Sequence, residues 1–155
     1  MSIKSPHINF IFSTSKWKVI APLLKNEIAF ALEKTTEALN SDFSQKEVSL
    51  VLTSDTEVQS LNKTYRHKDK PTNVLSFPSE QKDEVGDIVL AYETVMKEAD
   101  ELGISPLHHT LHLIVHGFLH LLGYDHENKV DAEKMETLEI EILKALNIRN
   151  PYEDS

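Results

Sequence analysis

A chain of 155 residues, 40% of them hydrophobic, can bury one ordinary core but not two comfortable ones, so a single domain spanning 1–155 is expected. Its net charge of −9, from 25 acidic against 16 basic side chains, disfavours indiscriminate binding to polyanions. With no cysteine it lacks the means for the usual structural zinc sites and fits a reducing compartment, and without a long apolar run or a leader-like start it reads as soluble and unexported, with no membrane partner.

Residues 8–12, Ile-Asn-Phe-Ile-Phe, read as a short buried strand. Ser13, Thr14 and Ser15 offer caps for a helix in which Trp17, Ile20, Leu24, Ile28, Ala31, Leu32 and Leu39 recur at helical spacing to about residue 39, with Pro22 implying a kink or a true start. Trp17 is assigned to the core. Alternation from Val48 to Thr53 predicts a second strand. Ser54-Asp-Thr-Glu57 is a capping box before a short helix faced by Val58, Leu61 and Tyr65, and Tyr65 is also assigned to the core. That helix delivers Arg66 into Lys63-Thr-Tyr-Arg-His-Lys-Asp-Lys70, an island of four fixed positive charges against one negative in an acidic chain. Pro71 to Pro78 has the proline-bracketed pattern of an edge strand or a strand beside a cleft. A charged turn over Glu80–Glu84, a strand over Gly86–Ala91 and a helix over Glu93–Leu102, stopped by Gly103, come next. Ser105-Pro106 caps and opens a strongly apolar helix running to about Leu122. A last helix extends from Lys129 to about residue 147, leaving about 150–155 as a frayed tail. Strands early, helices late and a hairpin-prone middle indicate an α+β domain rather than a regular alternation.

The chemistry concentrates at the end of the apolar helix. His116 and His120 are one turn apart and project from the same face. Gly123 can adopt the left-handed conformation that ends a helix, and the chain can then turn back to bring His126 to the same point. Three neutral imidazoles suit one Zn(2+) per chain, or another borderline divalent ion, and leave a fourth tetrahedral position open, the mark of a catalytic site. The spacing matches that of metalloproteases of the H-E-x-x-H-x-x-G-x-x-H type in every ligand and in the glycine. Gly117, however, stands where those enzymes carry the glutamate that serves as general base.

His116-Gly-Phe-Leu-His-Leu-Leu-Gly-Tyr-Asp-His126 resembles the H-G-x-L-H-L-x-G-Y-D-H motif of the bacterial YbeY family of endoribonucleases, or rRNA maturation factors. Two further blocks agree in order, Leu61 to Pro78 and Gly86-Asp-Ile88, and the resemblance covers about residues 48–152. Asn73 departs from it, since the family often has Asp there. The resemblance implies a zincin-like fold with a mixed sheet packed against helices. It also implies a zinc-dependent endoribonuclease that cuts single-stranded RNA in ribosomal RNA processing and ribosome quality control, in the bacterial cytoplasm, with ribosomal proteins or assembly factors as further partners. Carried over residue by residue, the metal ligands fall on His116, His120 and His126, and the functionally important arginine on Arg66, so that Arg66 and His116 are the expected catalytic pair.

Around these, Lys63, Lys68 and Lys70 are candidate RNA contacts, with a solvated loop as the alternative. Asp125 is read as turn-forming or as a support for His126, with a base role as the alternative, and His112 as a support for the ligands or a substrate group, with a satisfied helix histidine as the alternative. His108 and His109 are placed on the solvent side, and Asp87 at a strand start, where a turn role competes with a site role. Two other functions compete: a metallopeptidase-like hydrolase lacking the usual glutamate, and a non-catalytic ribosome-associated RNA-binding protein.

Overall fold

The computed structural model describes residues 4–20, 23–66, 72–125 and 127–152. Its elements are β1 (His7–Phe12), a 3-10 turn (Ser15–Val19), α1 (Leu24–Leu39), β2 (Glu47–Thr53), α2 (Asp55–Arg66), β3 (Val74–Pro78), β4 (Glu84–Ala91), α3 (Tyr92–Leu102), α4 (Pro106–Leu121) and α5 (Lys129–Ala145). The strands form one mixed sheet in the order β1-β2-β4-β3, in which β3 alone is antiparallel to its neighbour. The chain is thus α+β, with helices against a mixed sheet, and its middle is the β3–β4 hairpin.

Alternation along β2 sends Val48, Leu50 and Leu52 to one face, where with Ile88 and Leu90 of β4 they meet Ile28 and Leu32 of α1, Ile114 and Phe118 of α4, and Met135 and Ile142 of α5. Each such fully buried side chain contributes about 1.5–3 kcal/mol. The other face is thinner: Val51, Leu75, Phe77 and Val89 pack beneath Val58 and Leu61 of α2. β4 is covered on both sides, as the second strand in from the β3 edge. Gly86 lets it pass that close to its neighbours, because a Cβ there would lie 2.4 Å from Phe77 O, and its φ of +144° is one that other residues rarely adopt. Beside it the β2–β4 register shifts, Glu47 pairing with Glu84 and Val48 with Gly86, so that Val85 is the extra residue of a bulge.

The helix expected to run to about residue 39 is divided into the 3-10 turn and α1. The turn seats Trp17, which is fully buried, donates its indole N–H to Thr53 O at 2.9 Å and meets the Tyr92 ring edge-on. The capping box at Ser54 is half realised. Ser54 Oγ accepts from Glu57 N–H at 3.4 Å, but the Glu57 carboxylate takes the Thr53 hydroxyl instead of the Ser54 N–H. Tyr65 is not a core residue: it is 65% exposed and lies against Phe77 of the edge strand, while Val58 and Leu61 are the α2 side chains packed into the apolar cluster under the sheet. Within the stretch expected to fray, Tyr152 donates its hydroxyl to Glu139 of α5.

Candidate metal centre

α4 places the site. Its start is fixed by Ser105 Oγ, which accepts from His108 N–H at 3.4 Å, and by Pro106 in the first turn. It ends where Gly123, at φ +99°, donates its N–H to His120 O while Tyr124 N–H reaches back to Leu119 O, a Schellman closure. Between residues 109 and 121 every position of this helix is buried except His112, His116 and His120. Spaced four apart, these three form the one stripe that this stretch of the helix leaves open.

The rings meet with ligand-like geometry. His116 Nε2 and His120 Nε2 are 3.0 Å apart, within a few tenths of the separation of about 3.3 Å expected for two nitrogens sharing one tetrahedral ion. His116 Nδ1 lies 2.6 Å from Glu139 Oε1, and His112 Nε2 lies 3.1 Å from Glu139 Oε2. The Tyr152 hydroxyl donates to the same Oε2 at 2.5 Å. Glu139 is completely buried, and these partners are two imidazoles and a phenol rather than a lysine or arginine. A buried carboxylate in such company calls for positive charge nearby, which a divalent ion on the adjacent imidazoles would supply. Burial alone would raise the Glu139 pKa, but the hydrogen bonds from His112, His116 and Tyr152 and electrostatic attraction from His116 outweigh it and bring it to about 2. Burial and the Glu139 charge together push the Tyr152 phenol upward.

His112, His116 and Glu139 also offer ligand atoms that all lie within 4.8 Å of one another, a second grouping able to hold an ion. The 2.6 Å contact between His116 Nδ1 and Glu139 is shorter than the spacing of two atoms on one tetrahedral ion and is that of a charge-assisted hydrogen bond. The Nε2 side of His116 therefore fits an ion better than the Nδ1 side. His126, the third expected ligand, lies outside the described residues, as do Lys68 and Lys70.

Arg66 shares this space. With Thr72, Asn73, Val74, Ser76, Pro78, His116 and His120 it lines a cavity of about 380 Å³. Its Nη2 donates to Ser76 O at 3.0 Å, and the guanidinium lies 5.8 Å from the centre of the Phe77 ring. β3 is thus both the edge strand and the cleft wall that its prolines suggested, and it tethers the arginine beside the histidines. Lys63 is exposed on the last turn of α2. Asp125 accepts from Glu127 N–H at 3.1 Å, a turn bond, and burial together with Glu84 raises the carboxyl of Asp87, which pairs with Phe77 in the hairpin.

One placement in the site differs from expectation. His109 is not on the solvent side: it is buried and bonded through Nε2 to Glu98 at 2.9 Å, because α3 covers the first turn of α4. Asn73 donates to the same Glu98 oxygen at 2.9 Å, which accounts for an amide at this position, since a second carboxylate would repel Glu98. Glu139 and Tyr152 went unforeseen. The available signal was an acid on the apolar stripe of α5, between Met135 and Ile142.

The chain is similar to known proteins along most of its length. A family model described as Endoribonuclease YbeY matches residues 10–147. The Endoribonuclease YbeY of Bradyrhizobium diazoefficiens is 48% identical over 134 residues, covering 80% of this chain and 73% of its own. That of a Chelativorans species is 44% identical over 155 residues, covering 94% and 92%. The solution structure of a Thermotoga maritima protein superposes with a TM-score of 0.58 at 29% identity, covering 96% of each chain.

Proposed function

Since the chain belongs to the YbeY endoribonuclease family, we propose that it is a metal-dependent endoribonuclease that cuts single-stranded RNA, ribosomal RNA foremost, with Zn(2+) as the ion, in the bacterial cytoplasm. The observation that carries the reading is the single cavity holding Arg66 together with the facing His116 and His120 Nε2 atoms. His116, His120 and His126 are the residues that would hold the ion. When bound, it supplies Lewis acidity, lowering the pKa of a water and offsetting negative charge on the phosphodiester.

The chain's own residues do the rest. Arg66, held by Ser76 O and Phe77, presents a planar guanidinium with five N–H donors, so that one bond to the edge strand leaves the fork able to grip phosphate oxygens in pairs. There it stabilises the charge that grows as the P–O bond breaks, whether the attacking oxygen comes from water or from the neighbouring ribose 2′-hydroxyl. Lys63, Lys68 and Lys70 add local positive charge for the approaching strand. The net charge of −9 supports delivery of the substrate by ribosomal proteins or assembly factors rather than by affinity for bare RNA.

The test is cleavage of an end-labelled single-stranded RNA by wild type, His116→Ala and Arg66→Ala at one salt concentration, with metal content measured for each. The expected outcome is a loss of about 10²–10³-fold or more in both variants, with bound metal lost only from the histidine variant. Equal cleavage by all three would refute the reading, and cleavage of peptides with the RNA untouched would favour a peptidase.

A further inference from the structure

Glu139 is the only carboxylate among the described residues whose side chain is completely buried, and the reaction as outlined above gives it no part. We infer that Glu139 is the positioning residue that makes His116 a ligand through Nε2, and that His112 and Tyr152 hold it in that role. The inference rests on the metal reading of His116 and His120 and deepens it.

A neutral imidazole carries one proton, and whichever nitrogen has it cannot bind a metal. At His116 the choice is made by Glu139 Oε1, an acceptor 2.6 Å from Nδ1: the proton sits on Nδ1, and the Nε2 lone pair is left facing His120 Nε2. An ionised carboxylate behind the ring also raises the basicity of Nε2. The carboxylate cannot turn away, because Oε2 is occupied from two other directions. His112, one turn earlier on α4, reaches it at 3.1 Å, and the Tyr152 hydroxyl reaches it from the segment after α5. Tyr152 also walls a cavity of about 440 Å³ together with Asn73, His112 and His116, so the last described turn of the chain is built into the centre. A glutamine at 139 could not reproduce this arrangement in either orientation. With its amide nitrogen in the place of Oε2, it would confront His112 Nε2 and the Tyr152 hydroxyl, which donate there, and both would have to turn to accept. With the nitrogen toward His116, it would force Nδ1 to accept and move the proton to Nε2.

The experiment measures zinc affinity by competition with a chromophoric chelator for wild type, Glu139→Gln, Tyr152→Phe and His120→Ala. Long-range ¹H–¹⁵N spectra of the metal-free proteins report the tautomer of His116, and melting curves of the same samples report the fold. Glu139→Gln is expected to weaken zinc binding about 10–100-fold with the metal-free fold retained and the His116 proton moved off Nδ1. Tyr152→Phe is expected to give a smaller loss, under about tenfold, in the same direction. Zinc affinity of the glutamine variant within about threefold of wild type, or an unchanged tautomer, overturns the inference. Retention of zinc by His120→Ala together with its loss from Glu139→Gln also overturns it, by making Glu139 a direct ligand. Should the glutamine variant fail to fold, Tyr152→Phe decides, and unchanged affinity there overturns the proposal. A wild-type protein that takes up no divalent ion refutes the metal reading itself, a result distinct from all of these.

Discussion

A Cβ on Gly117 would lie 3.1 Å from both Ser76 Oγ and Ile88 Cγ2, so the position next to the first histidine faces the sheet at close range rather than the cavity. The glutamate of a metallopeptidase would have to be inserted between α4 and the β3–β4 hairpin. Gly117→Glu is therefore expected to confer no peptidase activity and to destabilise the fold by more than about 3 kcal/mol, from overpacking combined with burial of a charge. Gly117→Ala should cost little, because a gain of about 1 kcal/mol in helix propensity offsets the crowding. Melting curves of the two variants, with a peptide-hydrolysis assay, check both statements. At this scale the sequence was readable wherever a motif or a period spoke. The histidine pair and the absent glutamate were visible in it, and so was the tryptophan of the core. Glu139 and Tyr152 were not, because their meaning depends on α5 and the turn after it coming back against α4. His109 and Tyr65 were misplaced for a related reason: helical spacing tells which residues share a face but not how far a neighbouring element extends over it.

α4 carries the histidine stripe but does not depend on it for its place. Ten of its residues are buried, among them Ile114, Phe118 and Leu119 of the main core cluster, which anchor it between the sheet and α5. On the proposed metal reading, chelation is accordingly expected to leave helix content unchanged in far-ultraviolet circular dichroism and to lower the melting temperature only by the linkage of metal to the folded state. A loss of α4 protection in hydrogen exchange after chelation would contradict this. The ends of this helix were legible in Ser105-Pro106 and Gly123, whose chemistry is local, and so were the bounds of α3 and α5 to within two residues. The division near Pro22 was legible only as a choice, kink or start. The order β1-β2-β4-β3 was not legible, since the parallel pairs β1–β2 and β2–β4 are joined through helices and no local turn sets their neighbours.

For the molecule as a whole, acid is the informative stress. Glu139 has a folded pKa of about 2 against an ordinary value of 4.5, so the stability it contributes is fully present above about pH 4.5 and is lost as the pH falls toward 2. Metal-free wild type should therefore lose denaturant resistance between about pH 4.5 and 2, and Glu139→Gln should lose less over that window. Some slope should persist in the variant because Glu93, opposed by burial but bonded to Asp55 N–H and Lys16, is also held below its usual value. Parallel acid limbs for the two proteins would show that Glu139 does not titrate as its surroundings require. The embedding of α4 has one more consequence. Since the residues that seat α4 belong to the apolar core, the proposed zinc enzyme in a cell short of zinc would accumulate as intact, inactive chains instead of being degraded as unfolded ones. When the metal returned, recovery of activity would then wait on the arrival of the ion and not on new synthesis.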